Sequence, residues 1–213
     1  MTAAKVAAVI MASGFSRRMN VNKLLIDYRG KPLAGWVMDA VKSARLCPAG
    51  VITGCDEIAR LAKEKGFDVI NNLHPELGQS QSVIIGTRSY MYADGIMFVP
   101  ADMPFLSAEI LLTLKKSFLL SPEAIIRPVY KSGNGSGAKT YLKLHSGNLQ
   151  ERSGPGSPVI FPQSLFGELC RLTGDRGGRE IILRHRALVR EVDIFDSRAG
   201  VDIDTPEDVQ RWL

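Results

Sequence analysis

The early part of the chain carries a cluster of residue types suited to binding phosphate. A short apolar run is followed by Ala12, Ser13, Gly14, Ser16, Arg18 and Lys23. A glycine-bearing turn after a strand presents backbone N–H groups, and cations beside it add positive charge, so such a turn can hold the phosphates of a nucleotide. Gly14 stands alone where the P-loop and the dinucleotide-binding turn each need further glycines. A solvated basic loop is the competing interpretation, and the residue pattern alone does not separate the two.

A carboxylate suited to binding a metal ion follows a later apolar run. Asp102 comes after residues 96–99 and before Met103 and Pro104, which predicts a position at the carboxyl end of a strand. Open α/β sheets bind their ligands at that edge, and a carboxylate there can hold Mg²⁺ against nucleotide phosphates. An ordinary turn-initiating aspartate is the alternative interpretation.

A second pair of carboxylates lies near the end of the chain. Asp202 and Asp204 alternate with Val201 and Ile203, so at strand period their side chains would point to the same face. Either can supply a second metal ligand, and Asp204 is favoured. Alternatively, Asp204 and the residues after it only begin a helix, where negative charge is favourable.

These residues need an α/β sheet to position them. Short β-branched runs alternate with segments of helical period, which predicts a three-layer α/β fold of the Rossmann-like type with a mostly parallel sheet. Strands are expected at 6–12, 50–53, 68–71, 95–100, 124–128, 158–161 and 189–194. Helices are expected at 33–44, 56–65, 80–92, 107–118, 163–172 and 178–184, with a closing helix from residue 205.

One domain is expected to span residues 1–213, with a Gly/Ser-rich insertion at about 131–156. The insertion carries an additional short strand, predicted at 139–144. Three cysteines without C-x-x-C spacing indicate neither a disulfide framework nor a zinc site.

The composition indicates which ligands the protein binds and where in the cell it is located. The chain has 213 residues, 45% of them hydrophobic, and a net charge of +5 that suits anionic ligands. Aromatic residues make up only 7%, which argues against a base-stacking surface for nucleic acid. No apolar run approaches the roughly 20 residues that a membrane span needs, and the start lacks the pattern of a signal peptide. A cytoplasmic location is therefore expected.

Several ordered motifs together resemble a known family. The first is Gly14-x-Ser16-x-Arg18-Met19 followed by Lys23, and the others are Gly30-Lys31-Pro32-Leu33, the serine-containing segment 78–86, Asp102-Met103-Pro104, the segment 158–161, the glycine-rich segment 174–179 and the acidic segment 202–208. This arrangement resembles the MobA-like nucleotidyltransferases of molybdenum cofactor biosynthesis. In its second half the chain is similar to the cytidylyltransferase branch of that family.

The resemblance implies specific roles. Arg18, Lys23 and Asp102 would be catalytic, Mg²⁺ would bind to Asp102 and Asp204, and the nucleotide would contact the first loop. The nucleotide-binding residues would be Ala12, Ser13, Gly14, Ser16, Arg18, Lys23, Ser80 and Ser82. A pocket for the second substrate would involve Asp175, Arg176, Arg179 and Asp202. The implied reaction transfers CMP from CTP to the terminal phosphate of molybdopterin cofactor and releases pyrophosphate. A molybdenum hydroxylase is the implied protein partner, and neither nucleic acid nor a membrane is expected to bind.

Other functions fit parts of the pattern. GTP, or a sugar or polyol phosphate acceptor, would suit a related transferase, although a side chain at Ser13 should narrow the pocket against a purine. A chaperone that delivers the cytosine dinucleotide cofactor to a hydroxylase is a second class of function. It is motivated by Asn20 and Ser157, where the family signature has glycine and histidine, and by the basic insertion. A dinucleotide-dependent oxidoreductase is a third class of function, but the chain lacks the glycine-rich turn that such an enzyme needs to bind its dinucleotide.

Overall fold

The computed structural model describes residues 4–14, 22–131, 141–143, 149–151, 154–174 and 177–213. Its centre is strand β1 (Val6–Met11), an uninterrupted apolar run that is buried almost throughout. Ala8 and Ile10 contribute to one hydrophobic core, whereas Ala7 and Val9 contribute to another. Because side chains alternate along a strand, this division shows that both faces of the sheet are covered.

Eight of the described strands form the main sheet, in the order β12-β7-β11-β6-β1-β4-β5, with β10 also paired to β7. The strands are β1, β2 (Asp27–Tyr28), β3 (Lys31–Pro32), β4 (Ala49–Thr53), β5 (Asp68–Asn71), β6 (Gly95–Pro100), β7 (Ile125–Tyr130), β8 (Tyr141–Lys143), β9 (Leu149–Glu151), β10 (Gly154–Pro155), β11 (Val159–Pro162) and β12 (Val189–Ile194). Strands β6, β1, β4 and β5 are parallel to one another, as are β7 and β12. Strand β11 is antiparallel to both β6 and β7. The carboxyl ends of β6, β1, β4 and β5 therefore meet at one edge, which we call the carboxyl edge.

Seven described helices accompany the sheet. They are α1 (Leu33–Ser43), α2 (Asp56–Glu64), α3 (Gln79–Ser89), α4 (Ala108–Leu120), α5 (Phe166–Leu169), α6 (Arg179–Arg184) and α7 (Pro206–Trp212). Helices α1, α2 and α4 pack in the core on one face, and α3, α5 and α6 pack in the core on the other. The expected three-layer α/β fold with a mostly parallel sheet is confirmed. In the described part of the chain, no helix has the length and apolar character that crossing a membrane requires.

Most predicted elements match the structure closely. Strands β5, β6 and β12 have the predicted bounds, and helix α4 begins after Ser107, whose hydroxyl accepts a hydrogen bond from the amide of Ile110 at 3.3 Å. The short strand predicted at 139–144 corresponds to β8, although part of that range lies outside the described residues.

Three expectations need correction. Strand β7 continues to Tyr130, beyond the predicted end at Pro128, because Val129 and Tyr130 pair with β12 on one side and with β10 on the other. The helix predicted at 163–172 is a short 3₁₀ turn at 163–165 followed by the four-residue α5. Residues 201–204 are not a strand, and their alternation instead reflects packing of the apolar side chains into a small cluster beside α7.

Candidate active site

Lys23 is the cation that the structure brings to the carboxyl edge. It begins a 3₁₀ turn at 23–25, and the side chain of Asn22 caps this turn by accepting a hydrogen bond from the amide of Leu24 at 3.1 Å. Leu24 is buried in the core. The cap and the buried leucine together fix the direction in which the Lys23 side chain leaves the backbone.

Asp102 lies in the turn that follows β6. The preceding residue, Ala101, is buried, and its amide donates a hydrogen bond to the carbonyl of Met11 at 3.2 Å. Met103 on the other side is also buried. This turn is therefore tied to the end of the central strand β1, and Asp102 stands at the carboxyl edge as predicted.

Asp204 reaches the same place from the far end of the chain. The amide of Ile203 donates a hydrogen bond to the carbonyl of Asp102 at 3.0 Å, which joins the two segments directly. Thr205 is the N-cap of α7 and forms a capping box with Asp208. The Thr205 hydroxyl accepts a hydrogen bond from the amide of Asp208, and the Asp208 carboxylate accepts one from the amide of Thr205. The Asp208 carboxylate also accepts a hydrogen bond from the amide of Asp204 at 3.0 Å.

The three side chains meet in one ion cluster. Lys23 Nζ lies 2.6 Å from Asp102 Oδ2 and 2.5 Å from Asp204 Oδ1. The Lys23 side chain is 13% exposed, that of Asp102 is 20% exposed and that of Asp204 is 51% exposed. Partial burial strengthens these interactions compared with a surface ion pair. The cluster leaves Asp204 as its solvent-facing member.

The cluster determines the charge state of Lys23. Burial opposes the charged ammonium, but the charges of Asp102 and Asp204 and their hydrogen bonds outweigh that effect and raise the pKa of Lys23. Lys23 is consequently a fixed positive charge at neutral pH.

The donor set of this cluster fits a hard divalent cation. Asp102 and Asp204 each accept a hydrogen bond from Lys23 Nζ through one carboxylate oxygen. The two carboxylates are therefore close enough to share a small cation. Among the described residues, no group of three or more His, Cys, Asp and Glu side chains is arranged to hold a metal. Mg²⁺ typically binds through one or two carboxylates and completes its shell with water and substrate phosphates, which suits this pair.

The first loop begins at the same edge. Ala12 is buried and its amide donates a hydrogen bond to the carbonyl of Ile52 in β4 at 2.9 Å, so the backbone leaves β1 beside its neighbouring strand. Ser13 is partly buried and Gly14 is exposed. The predicted residues Ser16 and Arg18 lie outside the described residues.

The predicted serines on α3 are buried at its first turns. Ser80 is 3% exposed and Ser82 is 5% exposed, and Ser82 Oγ accepts a hydrogen bond from Asn72 Nδ2 at 3.3 Å. Neither caps the helix, because Gly78 is the N-cap residue, with a φ of 86° that favours glycine. Asn72 was not among the predicted site residues. A polar residue directly after β5, at the carboxyl edge, was the signal that could have identified it.

The glycine-rich segment near residue 174 lies beside the start of α3. The amide of Ser80 donates a hydrogen bond to the carbonyl of Gly174 at 3.2 Å, and Gly177 packs so closely on Gln79 that an added Cβ would meet Gln79 Oε1 at 2.3 Å. Arg179 is exposed at the start of α6. Of the other residues predicted for a second pocket, Asp175 and Arg176 lie outside the described residues.

Asp202 lies close enough to Tyr130 to influence its ionisation. Its charge acts on the buried Tyr130, where burial first and then Asp202 and Asp196 raise the pKa of the phenol. The structure shows Asp204 in direct contact with Lys23, which in turn contacts Asp102.

Comparison with known proteins identifies the relatives of this chain. A family model described as the MobA-like NTP transferase domain matches residues 8–189. A probable molybdenum cofactor guanylyltransferase from Pyrococcus horikoshii is 30% identical over 61% of this chain and 65% of its own length. The purine catabolism protein PucB from Bacillus subtilis is 29% identical over 94% of this chain and 92% of its own length. Nicotine blue oxidoreductase from Paenarthrobacter nicotinovorans is 25% identical over 98% and 96%, respectively.

Solved structures share the fold. A nucleotidyl transferase from Methanothermobacter thermautotroptrophicus superimposes with a TM-score of 0.75 at 20% identity, over 97% of this chain and 95% of that one. Rv0371c from Mycobacterium tuberculosis, in complex with manganese, gives a TM-score of 0.72 at 24% identity, over 98% of each chain.

Proposed function

Because the chain belongs to the MobA-like NTP transferase family, we propose that it transfers CMP from CTP to the terminal phosphate of molybdopterin cofactor and releases pyrophosphate. The observation that carries this proposal is Lys23 held between Asp102 and Asp204 at the carboxyl edge. Such a cluster combines a fixed cation for phosphate oxygens with two carboxylates for a metal ion.

The reaction needs charge stabilisation and alignment more than a reactive side chain. An oxygen of the acceptor phosphate forms a bond to the α-phosphorus of CTP while the bond from that phosphorus to the bridging oxygen breaks, and pyrophosphate leaves with both electrons of that bond. Both substrates are anionic, so catalysis depends on positioning them and on neutralising the charge that develops. Lys23 is suited to hold phosphate oxygens, and we assign the same role to Arg18, which can bind them in a bidentate manner.

Asp102 and Asp204 are proposed to hold Mg²⁺. When bound, the ion would shield the negative charge of the triphosphate and of the leaving pyrophosphate. The manganese complex of the Mycobacterium tuberculosis structure supports use of a divalent ion in this fold. Lys23 keeps the two carboxylates together by neutralising their mutual repulsion.

The first loop and α3 are proposed to receive the nucleotide. Ala12, Ser13 and Gly14 follow β1, and Ser80 and Ser82 lie at the start of α3, which also begins at the carboxyl edge. Asp175, Arg176 and Arg179 are assigned to the acceptor from the family resemblance alone. Of their segment, Gly174 and Gly177 contact the start of α3.

CTP is proposed over GTP because of Ser13. A side chain at this position occupies space that a purine needs, and its hydroxyl adds bulk beside the small residues Ala12 and Gly14. GTP is the second candidate, and the probable molybdenum cofactor guanylyltransferase of Pyrococcus horikoshii is one relative that favours it.

Pyrophosphate release with molybdopterin cofactor and Mg²⁺ tests the proposal, with CTP, GTP and ATP offered separately and then in competition. Release with CTP in clear preference to the purines is the expected result. Preference for GTP would show that GTP, and not CTP, is the nucleotide substrate, while the proposed transfer reaction would stand. Binding of the cofactor without release from any nucleotide would contradict transfer and favour the chaperone.

A further inference from the structure

Two buried oxygen atoms stand out because they have no hydrogen-bond partner among the described residues. They are Ser13 Oγ and Asp102 Oδ1. A buried polar atom without a partner costs stability, and nearly all such atoms in proteins are paired. A pair of them at a ligand-binding edge indicates that a ligand supplies the missing hydrogen bonds.

The two atoms belong to equivalent positions on neighbouring strands. Strands β1 and β6 are parallel, with Met11 opposite Pro100, and the amide of Ala101 continues this pairing by bonding to the carbonyl of Met11. Ser13 and Asp102 each lie two residues beyond the end of their strand. They therefore follow adjacent strands at the centre of the carboxyl edge.

The chemistry of the two atoms restricts what can bind between them. Asp102 uses Oδ2 for Lys23 at 2.6 Å, and Oδ1, as a carboxylate oxygen, only accepts hydrogen bonds. A serine hydroxyl both donates and accepts. A phosphate oxygen would be repelled by Asp102, whereas a hydroxyl group can donate to the carboxylate and also bond to the serine. On a nucleoside triphosphate, the hydroxyl groups are those of the ribose.

We propose that Ser13 Oγ and Asp102 Oδ1 together bind a ribose hydroxyl of the nucleotide, so that Ser13 selects ribonucleotides over deoxyribonucleotides. The inference rests on the proposed function, because it requires a nucleoside triphosphate at the carboxyl edge. It assigns to Ser13 a role in recognising the sugar that is separate from its bulk beside the base.

Equilibrium binding of CTP, 2′-deoxy-CTP and 3′-deoxy-CTP tests the proposal, measured with EDTA present so that no divalent ion contributes. The intact protein is compared with Ser13→Ala and with Ser13→Thr, which keeps the hydroxyl, and a thermal unfolding curve checks that each variant is folded. The same series with GTP and its deoxy analogues makes the result independent of base preference.

The intact protein is expected to bind the ribonucleotide at least about 10-fold more tightly than one of the deoxy analogues, as loss of a hydrogen bond to a charged group predicts. Ser13→Ala should reduce this ratio several-fold while changing affinity for that deoxy analogue little, and Ser13→Thr should restore part of the ratio. Equal affinity of the intact protein for all three nucleotides would overturn the ribose assignment but would leave the proposed function standing. An equal loss of affinity for all three in Ser13→Ala would overturn the ribose assignment as well.

A metal-bound water is the rival partner for these two atoms, and Mn²⁺ titration followed by electron paramagnetic resonance distinguishes it. A weaker Mn²⁺ affinity in Ser13→Ala, with the ribose preference intact, would overturn the proposal. Failure of the intact protein to bind CTP or GTP under any condition, with or without Mg²⁺, would instead contradict the proposed function itself.

Discussion

Lys23 is the residue on which the charge balance of the site depends. Its ammonium contacts two carboxylates that come from segments 79 and 181 residues away in the chain. Removing the ammonium would leave Asp102 and Asp204 with uncompensated charge at a partly buried position, which is costly. Lys23 therefore contributes to folding as well as to the proposed binding of phosphate.

Lys23→Met is expected to lower the free energy of unfolding by about 1–3 kcal/mol, since it removes a partly buried cation from two carboxylates. Because the pKa of Lys23 is raised in the folded state, its contribution is fully present below the unfolded pKa and is lost only as the pH rises through the folded pKa. The difference between the two proteins should hence stay constant from about pH 6 to 9 and shrink only above about pH 10.4, the ordinary lysine pKa. Urea unfolding across this range measures it. A difference that disappears between pH 7 and 9 would show that Lys23 loses its proton earlier than the cluster predicts.

At the scale of elements, α7 positions Asp204 through the capping box at its start. The carboxylate of Asp208 accepts hydrogen bonds from the amides of Asp204 and Thr205 at 3.0 and 2.9 Å, so the helix start and the site residue share one network. A change in the cap should therefore affect both stability and activity.

Thr205→Ala is expected to cost about 1 kcal/mol of stability, the usual effect of losing an N-cap hydroxyl. It should also lower the rate of pyrophosphate release by about tenfold, because small displacements of a site residue slow a reaction strongly. Ser107→Ala removes the matching cap from α4, which contributes no residue to the ion cluster, and serves as the control. Comparable loss of stability in both variants, with full activity in both, would refute a positioning role for the cap.

Helix α3 depends on a glycine for its close approach to the sheet. A Cβ at Gly86 would lie 2.8 Å from Val9 and 2.9 Å from Ile52, whereas a Cβ at Gly35 in α1 would find its nearest neighbour, Lys31, at 3.7 Å. Gly86 therefore lets the helix that carries Ser80 and Ser82 rest directly on β1 and β4.

Gly86→Ala is expected to destabilise the protein by about 1–3 kcal/mol through overpacking. Gly35→Ala is the matched control, and we expect it to be neutral or stabilising by up to about 1 kcal/mol because alanine favours a helix and its Cβ would make only ordinary van der Waals contacts. Chemical denaturation of both variants provides the comparison. Equal stability of the two variants would mean that α3 does not need this close contact.

The predictable elements were those with a clear local pattern. Strands β5, β6 and β12 were found from their short β-branched runs, and Asp102 was placed at the end of a strand because it follows the apolar run of β6. The antiparallel position of β11 between β6 and β7 could not be found in this way, since an apolar run indicates a strand but not its neighbours. The contact of Lys23 with both aspartates was missed for the same reason, because spacing along the chain does not identify partners far apart in sequence.

At the scale of the whole molecule, one sheet connects the ends of the chain. Both β1 and β12 belong to it, and the segment after β12 returns to the carboxyl edge, where Asp204 and Asp102 contact the same Lys23 ammonium. The single-domain organisation and the insertion at about 131–156 stay predictions, because much of that insertion lies outside the described residues.

Metal-dependent pyrophosphate release from CTP with molybdopterin cofactor, compared between the intact protein and Asp102→Asn, tests the central claim most directly. Asp39→Asn is the control, because Asp39 is also a carboxylate held by two cations, Lys31 and Lys65, but lies on α1 outside the ion cluster. We predict that Asp102→Asn slows release by about 100-fold or more, as loss of a charge-stabilising group does, while Asp39→Asn retains nearly full activity. Equal activity of Asp102→Asn and the intact protein would contradict the assignment of the ion cluster as the site of nucleotidyl transfer.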